Sequence, residues 1–197
     1  MNKRGTLFVV TGPSGAGKGT VLKKVMAATD HLYFSISATT RAPRPGEIHG
    51  VHYHFITRES FAQLIREERL LEHAEYVGNF YGTPLDPVLE HLAQGDDVIL
   101  EIEIQGAKQV KARYPEAALV FIAPPSFDEL ERRLRGRGTE TEETILRRMD
   151  TARRECAHMD AFQYIVLNDT PENGAYELLS IITAHRCRRE NRGFALK

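Results

Sequence analysis

Lys18 closes the run Gly12-Pro13-Ser14-Gly15-Ala16-Gly17-Lys18, whose residue types suit one task, the binding of phosphate. Glycines let successive backbone N–H groups turn toward one point, where a Cβ would crowd an anion. The lysine adds a full charge that reaches the terminal phosphates. Such a run works only in a particular setting. A strand must deliver the chain into the turn, and a helix must leave it with its positive dipole end aimed at the same anion. Both are legible here. Thr6-Leu7-Phe8-Val9-Val10-Thr11 is apolar and β-branched, and Val21, Leu22, Val25 and Met26 recur at helical spacing after the loop. In loops of this kind the residue after the lysine is ordinarily Ser or Thr, whose hydroxyl touches Mg²⁺. Gly19 stands there instead, followed by Thr20, the nearest substitute hydroxyl.

Four further constellations carry chemistry. In Ser37-Ala38-Thr39-Thr40-Arg41-Ala42-Pro43-Arg44-Pro45-Gly46, two arginines lie on a segment stiffened by two prolines. Arginine grips phosphate oxygens with a planar fork, so two forks suit the phosphate of a second substrate, although solvated surface arginines would look the same. Glu72, in Leu70-Leu71-Glu72-His73-Ala74, is an acceptor that matches the N1–H and 2-amino donors of guanine and not adenine; a plain surface charge is the alternative. Val98-Ile99-Leu100-Glu101-Ile102-Glu103 reads as a buried strand with acids at its carboxyl end, where ligands bind in open α/β sheets. On one strand face Glu101 and Glu103 would stand about 6–7 Å apart, a place for Mg²⁺ or its water shell. The fourth is the arginine-rich Arg132-Arg133-Leu134-Arg135-Gly136-Arg137-Gly138 with Arg147-Arg148. Neighbouring acids nearly balance these charges, so most are expected on solvated helix faces. Arg137 is singled out because its flanking glycines free its backbone.

The elements that must position these residues alternate between short apolar strands (6–11, 97–104, 118–123, 162–167) and helical patterns (18–28, 106–113, 127–135, 141–156, 171–188), which predicts an α/β fold with a parallel sheet. Start signals support the helices: Ser126-Phe127-Asp128-Glu129 and Thr139-Glu140-Thr141-Glu142 read as capping boxes, and Thr170 precedes Pro171. Residues 35–95 differ, with Tyr53 and Phe55 in alternation and a turn-like Gly78-Asn79-Phe80-Tyr81-Gly82, and read as a small α+β insertion. The segment 126–157 is charged and helical. Two lobes flanking a phosphate-binding core suit an enzyme that closes to exclude water.

The 197 residues suit one compact domain, and 42% apolar residues supply a normal core. A net charge of −1 argues against nucleic acid. Cys156 and Cys187 lack metal-type spacing and read as plain thiols. No apolar run approaches a membrane span, and the N-terminus has no signal-peptide pattern, so a cytoplasmic protein with no membrane partner is expected.

Together the segments GPSGAGKG (12–19), SATTRAPRPGE (37–47), LLEHAEY (70–76), NFYGTP (79–84), LEIEIQG (100–106), RLRGRGTETEE (133–143) and LND (167–169) closely resemble the guanylate kinases, P-loop nucleoside monophosphate kinases. The resemblance implies a P-loop NTPase core of three layers with a parallel sheet (1–34, 96–125 and 158–197), a GMP-binding lobe (35–95) and a helical lid (126–157). It implies ATP-dependent phosphorylation of GMP, and with it dGMP, in purine nucleotide metabolism, with Mg²⁺ as cofactor. Carried over position by position, Gly12, Pro13, Ser14, Gly15, Ala16, Gly17, Lys18, Gly19 and Thr20 would hold ATP, with Asn168 near the adenine. Ser37, Arg41, Arg44, Tyr53 and Tyr81 would hold the GMP phosphate. Glu72 and Thr83 would read guanine, with Glu101 facing the base or the metal. Arg137 and Arg148 would close onto the transferring phosphoryl group. Thr20, Glu101 and Glu103 are the metal candidates; the family often carries Asp where this chain has these two glutamates. Two rivals remain at this stage: a non-catalytic phosphopeptide-binding scaffold of the same fold, and a monophosphate kinase for another base, which Gly17-Lys18-Gly19-Thr20 would also suit.

Overall fold

A computed structural model describes residues 4–136 and 141–192. The chain divides into two compact units, residues 4–9 with His31–Ala117 and Val10–Asp30 with residues 118–136 and 141–192. Strand β1 (Leu7–Thr11), buried along its whole length, spans the division.

In the first unit the strand order is β2-β7-β1, from β2 (Leu32–Phe34) and β7 (Asp97–Glu101), which pair in parallel with Leu32 opposite Asp97. Four more strands make a second sheet in the order β4-β3-β6-β5: β3 (Ala38–Thr39), β4 (His54–Phe55), β5 (Leu70–Tyr76) and β6 (Asn79–Pro84). Helix α2 (Arg58–Arg66) starts where the Thr57 hydroxyl accepts from the Ser60 N–H, and lays Phe61 into a core with Ala38 and Leu70. Helix α3 (Leu85–Gln94) packs on β7, and α4 (Ile104–Arg113) packs on β5.

In the second unit the order is β1-β8-β9, with β8 (Ala118–Ala123) parallel to β9 (Tyr164–Leu167). Helix α1 (Lys18–Ala28) packs against α7 (Pro171–Arg186). Helices α5 (Phe127–Arg135) and α6 (Glu142–Cys156) share a core of Leu130, Leu134, Ile145, Met149 and Ala152. The caps follow from side-chain chemistry: the hydroxyls of Ser126, Thr141 and Thr170 each accept from the N–H three residues on, and Pro171 occupies the first turn of α7, where no N–H is needed. In the second capping box Thr141 is therefore the cap; Thr139 and Glu140 lie outside the described residues.

Several boundaries differ from the pattern-based reading, α4 starting at Ile104 and α7 ending at Arg186 among them. The strand expected over 97–104 ends at Glu101, and Glu103 becomes the extended N-cap residue of α4. Glu101 and Glu103 therefore do not share a strand face: one ends β7 and the other caps α4. The turn expected over 78–82 is shorter. Val77 and Gly78 alone make it, and Asn79 already pairs with Tyr76 in β6. Strand β9 starts at Tyr164, two residues later than expected, after a 3₁₀ turn at Met159–Ala161.

The two-residue turn carries a testable strain. Val77 (φ 47°) and Gly78 (φ 71°) both lie in the left-handed region, the geometry of a type I′ hairpin turn. A β-branched residue there costs about 1–2 kcal/mol, and Asn-Gly is the favoured pair. Val77→Asn is expected to raise the unfolding free energy by about 1 kcal/mol. Urea unfolding checks this, and an unchanged or lower midpoint would reject the strain.

Candidate functional site

In the second unit β1 delivers the chain to Gly12, where an added Cβ would lie 2.2 Å from the Ile122 carbonyl oxygen. The loop then turns through Gly15 (φ 93°) and Gly17 (φ 88°), both left-handed. Gly17 is the N-cap of α1 and gives no side-chain cap, so the helix presents its backbone N–H groups at the loop. Lys18 is the first residue of α1. Its Nζ arches back to donate to the Gly12 carbonyl at 2.6 Å and the Pro13 carbonyl at 3.2 Å. The ammonium thus stands over the loop it closes. Thr20 is exposed in the first turn of α1, and an added Cβ at Gly19 would meet open space.

The loop is braced from behind. Asn168, 2% exposed, donates from Nδ2 to the Ala16 carbonyl at 2.5 Å. A Cβ on Gly17 would lie 2.4 Å from that same Nδ2, so this glycine also makes room for the brace. Arg133, expected on a solvated helix face, is instead drawn inward. Its Nη2 donates to the carbonyls of Asn168 and Asp169, each at 2.9 Å, its Nη1 to Ala16 at 3.4 Å, and its Nε to Glu129 at 2.7 Å. Five donors in a fixed fork let one side chain join three backbone positions. Charge balance hid this, because the acids near Arg133 in sequence include Glu129, which aims it. Arg148 is half-buried on α6. Arg137 lies outside the described residues.

The remaining candidates collect in the first unit. Pairing of β5 with β6 slips by one residue between Leu70–Pro84 and His73–Gly82, so Leu71 and Glu72 together oppose Thr83. Such a bulge re-aims side chains. Here it lets Leu70, Leu71 and Glu72 all be buried in succession, with Glu72 5% exposed. The Thr83 hydroxyl, fully buried, donates to Glu72 Oε1 at 2.7 Å. Burial pushes the Glu72 carboxyl up from its ordinary value, the Thr83 hydroxyl and N–H draw it back, and the charge of Glu103 pushes it further up. The seat of this carboxylate includes a residue that spacing alone did not reveal: a Cβ on Gly106 would sit 2.4 Å from Glu72 Oε2.

Arg41 is bidentate to Glu47, at 2.8 and 2.9 Å, and its guanidinium lies 5.4 Å from the Tyr53 ring centre and 5.6 Å from that of Phe55. Glu47 first, and Tyr81 after it, favour the charged Arg41, and the Tyr53 and Tyr81 rings meet edge to face at 6.1 Å. Burial and the nearby charge of Glu101 push the Tyr53 hydroxyl up, which puts Glu101 in the same neighbourhood. Arg44 is exposed, with its N–H donating to Glu47 Oε2 at 2.6 Å. Ser37 is half-buried and accepts from the His54 N–H through its carbonyl. Glu47 is thus the organiser of the two-arginine loop. The signal was the acid three residues after Arg44.

Among the described residues no group of three or more His, Cys, Asp and Glu could hold a metal ion, and no helix is long and apolar enough to cross a membrane. A glycine-rich loop between a sheet strand and a helix, with a lysine folded over it and a guanidinium bracing it, defines a P-loop nucleotide-binding protein. The family model described as "Guanylate kinase" matches residues 4–185. The guanylate kinase of Bacillus cereus is 51% identical over 190 residues, covering 96% of this chain and 93% of the relative. That of Thermus thermophilus is 52% identical over 194 residues, covering 98% and 88%. The crystal structure of guanylate kinase from Anaplasma phagocytophilum superposes with a TM-score of 0.80 at 31% identity, covering 96% of this chain and 90% of that one. The chain belongs to the guanylate kinase family.

The two-arginine loop makes a pH prediction. Arg41, then the Arg44 N–H, hold the Glu47 carboxyl down at about 2 against an ordinary 4.5. A depressed folded value means that the contribution to stability is present above the ordinary value and fades as pH falls toward about 2. NMR titration is expected to place the Glu47 carboxyl near 2, and Glu47→Gln to loosen the loop at neutral pH but not below that titration. Titration near the ordinary value would show that the pair does not persist in solution.

Proposed function

We propose that the loop and the buried carboxylate divide the work of a guanylate kinase between two sets of side chains. The reaction is transfer of the γ-phosphoryl group of ATP to GMP, giving ADP and GDP. The observation that carries the division is the burial of Glu72 with Thr83 at its side in the same unit as Arg41, while Lys18 and the loop lie in the other.

In this reading Gly12, Pro13, Ser14, Gly15, Ala16, Gly17, Lys18, Gly19 and Thr20 cradle the donor phosphates. Backbone N–H groups and the α1 dipole act on the bridging oxygens, and Lys18 exchanges its loop carbonyls for phosphate oxygens. Asn168 serves the ATP site from beneath, by fixing the Ala16 carbonyl. On the acceptor side Arg41, Arg44, Ser37, Tyr53 and Tyr81 take the GMP phosphate. Arg41 is pre-aimed by Glu47, so little side-chain freedom is lost when phosphate replaces that carboxylate. Glu72 accepts from guanine N1–H and the 2-amino group, with Thr83 fixing its orientation. Glu101 stands beside Tyr53 on the same side.

ATP and GMP bring roughly six negative charges together, and the repulsion is strong wherever water is excluded. Lys18, Arg41, Arg44, Arg137 and Arg148 offset it and hold the acceptor oxygen in line with the γ-phosphorus. Positioning and charge supply most of the catalysis of such a transfer, so no covalent nucleophile on the protein is needed. Mg²⁺ fits the donor chemistry present. Thr20, Glu101 and Glu103 offer hard oxygen donors, and among the described residues no group of three or more His, Cys, Asp and Glu makes a metal cage, which suits an ion that keeps its waters and rides on phosphates. When bound it would neutralise phosphate charge. ATP and GMP are the partners this chemistry requires, and a cytoplasmic location suits it.

Lys18→Ala is expected to lower kcat by at least about 10²-fold with the thermal midpoint preserved. A coupled ADP-release assay with near-normal turnover would reject the loop's role. Glu72→Gln, which loses one acceptor, is expected to lower kcat/KM for GMP by about 10²-fold or more while leaving the KM for ATP within about twofold. A panel of GMP, AMP, UMP and dTMP reads the result, and unchanged discrimination among them would reject the guanine assignment.

A further inference from the structure

We infer that Gly106 is a specificity-determining positioning residue for the acceptor base: the side chain it lacks is the seat of the Glu72 carboxylate. The inference rests on the reading of guanine by Glu72 proposed above. Gly106 lies in the first turn of α4, is buried, and does not have a positive φ. Its backbone is ordinary helix that any residue adopts, and alanine is the better helix former there. What excludes alanine is space. A Cβ would lie 2.4 Å from Glu72 Oε2, 3.0 Å from its Cδ and 3.2 Å from Ile102 Cδ1.

The carboxylate is held at its other oxygen and at its base. Thr83 holds Oε1 at 2.7 Å, and the bulge fixes the direction in which the side chain leaves β5. The same face of α4 ties down the strand on either side of it. Gln109, three residues on from Gly106, donates to the His73 carbonyl at 2.8 Å and accepts from the His73 N–H at 3.2 Å. Arg113, a further turn on, donates to the Leu70 carbonyl at 3.0 Å. Positions 106, 109 and 113 fall on one helical face. Strand β5 is at the edge of its sheet, so these side chains occupy the place of a neighbouring strand. Helix α4 therefore sets both the height of the strand and the depth of the carboxylate. A bulkier residue at 106 pushes the carboxylate out of line with the paired donors of guanine. An acceptor such as IMP, which has N1–H but no 2-amino group, has only one of those bonds to lose.

The test is a double-mutant cycle on the full chain with GMP, IMP and ATP as varied substrates. Gly106→Ala is expected to raise the KM for GMP by about tenfold or more, to lower the GMP-over-IMP preference by a similar factor, and to leave the KM for ATP within about twofold. In a Glu72→Ala background the same change is expected to be neutral in the GMP parameters, and the thermal midpoint of the double variant to equal or exceed that of Glu72→Ala alone. Should Gly106→Ala alone fail to fold, recovery of folding in the double variant supports the seat, and failure there overturns it. The inference is also overturned if Gly106→Ala leaves GMP KM and base preference within about twofold, or lowers the midpoint equally with and without Glu72. If Glu72→Ala itself leaves the base preference unchanged, the guanine reading fails, while the coupling of the two midpoints still decides whether position 106 seats the carboxylate.

Discussion

Repulsion between phosphates is the constraint on which this molecule depends. An NTP and an NMP each carry several negative charges, and any site that brings them together must replace their water with fixed donors and cations. In the proposed reading the chain meets this with groups that are already oriented. Lys18 is folded onto the Gly12 and Pro13 carbonyls, and Arg41 is locked in a fork with Glu47 between two aromatic faces. Lys18 rests on two neutral carbonyls, for which charged phosphate oxygens are stronger partners, and Arg41 on a carboxylate whose bidentate geometry a phosphate reproduces. The phosphate loop needs rigidity of its own, and receives it from Asn168 and Arg133 through the Ala16 carbonyl.

The acceptor side faces the opposite problem. A base is uncharged, so recognition must come from hydrogen bonds made out of water. Burying Glu72 raises the cost of its charge, as its upward-pushed carboxyl shows, and Thr83 offsets part of that cost. A carboxylate has about four acceptor positions, and the Thr83 hydroxyl and N–H take up part of them. The capacity that remains is what makes an incoming pair of donors valuable and their absence costly. The bulge at Leu71 and Glu72 is the local device that makes this burial possible, because unbroken alternation would turn one of the two outward.

The sequence disclosed what depends on neighbours along the chain. Helices α1 and α5 and strand β8 fall where periodicity placed them, and the caps at Ser126 and Thr170 are made as their residue types required. The phosphate loop was legible for the same reason, since its chemistry is written in one continuous run. Where the chain's behaviour depends on a distant partner, pattern failed. Ile102-Glu103 alternates like a strand, but β7 ends at Glu101, and the chain turns into α4 with Glu103 as its cap. Arg133 looked solvated among acids, yet one of those acids directs it onto the backbone of residues 168 and 169. A register slip between β5 and β6 leaves no mark in composition.

Glycine shows the distinction most sharply, because it serves two purposes in one chain. At Gly15 and Gly17 the backbone itself is left-handed, so a side chain is strained there whatever surrounds it. Those positions read correctly from spacing, since the loop's shape is a local property. Gly106 has helical backbone, and the closest obstacle to a Cβ there is the Glu72 Oε2, with Ile102 Cδ1 a looser second. Its tolerance is therefore a property of residue 72, thirty-four positions away, and not of α4. On the proposed reading such a glycine belongs to the recognition site rather than to the scaffold, even though it need never touch the ligand.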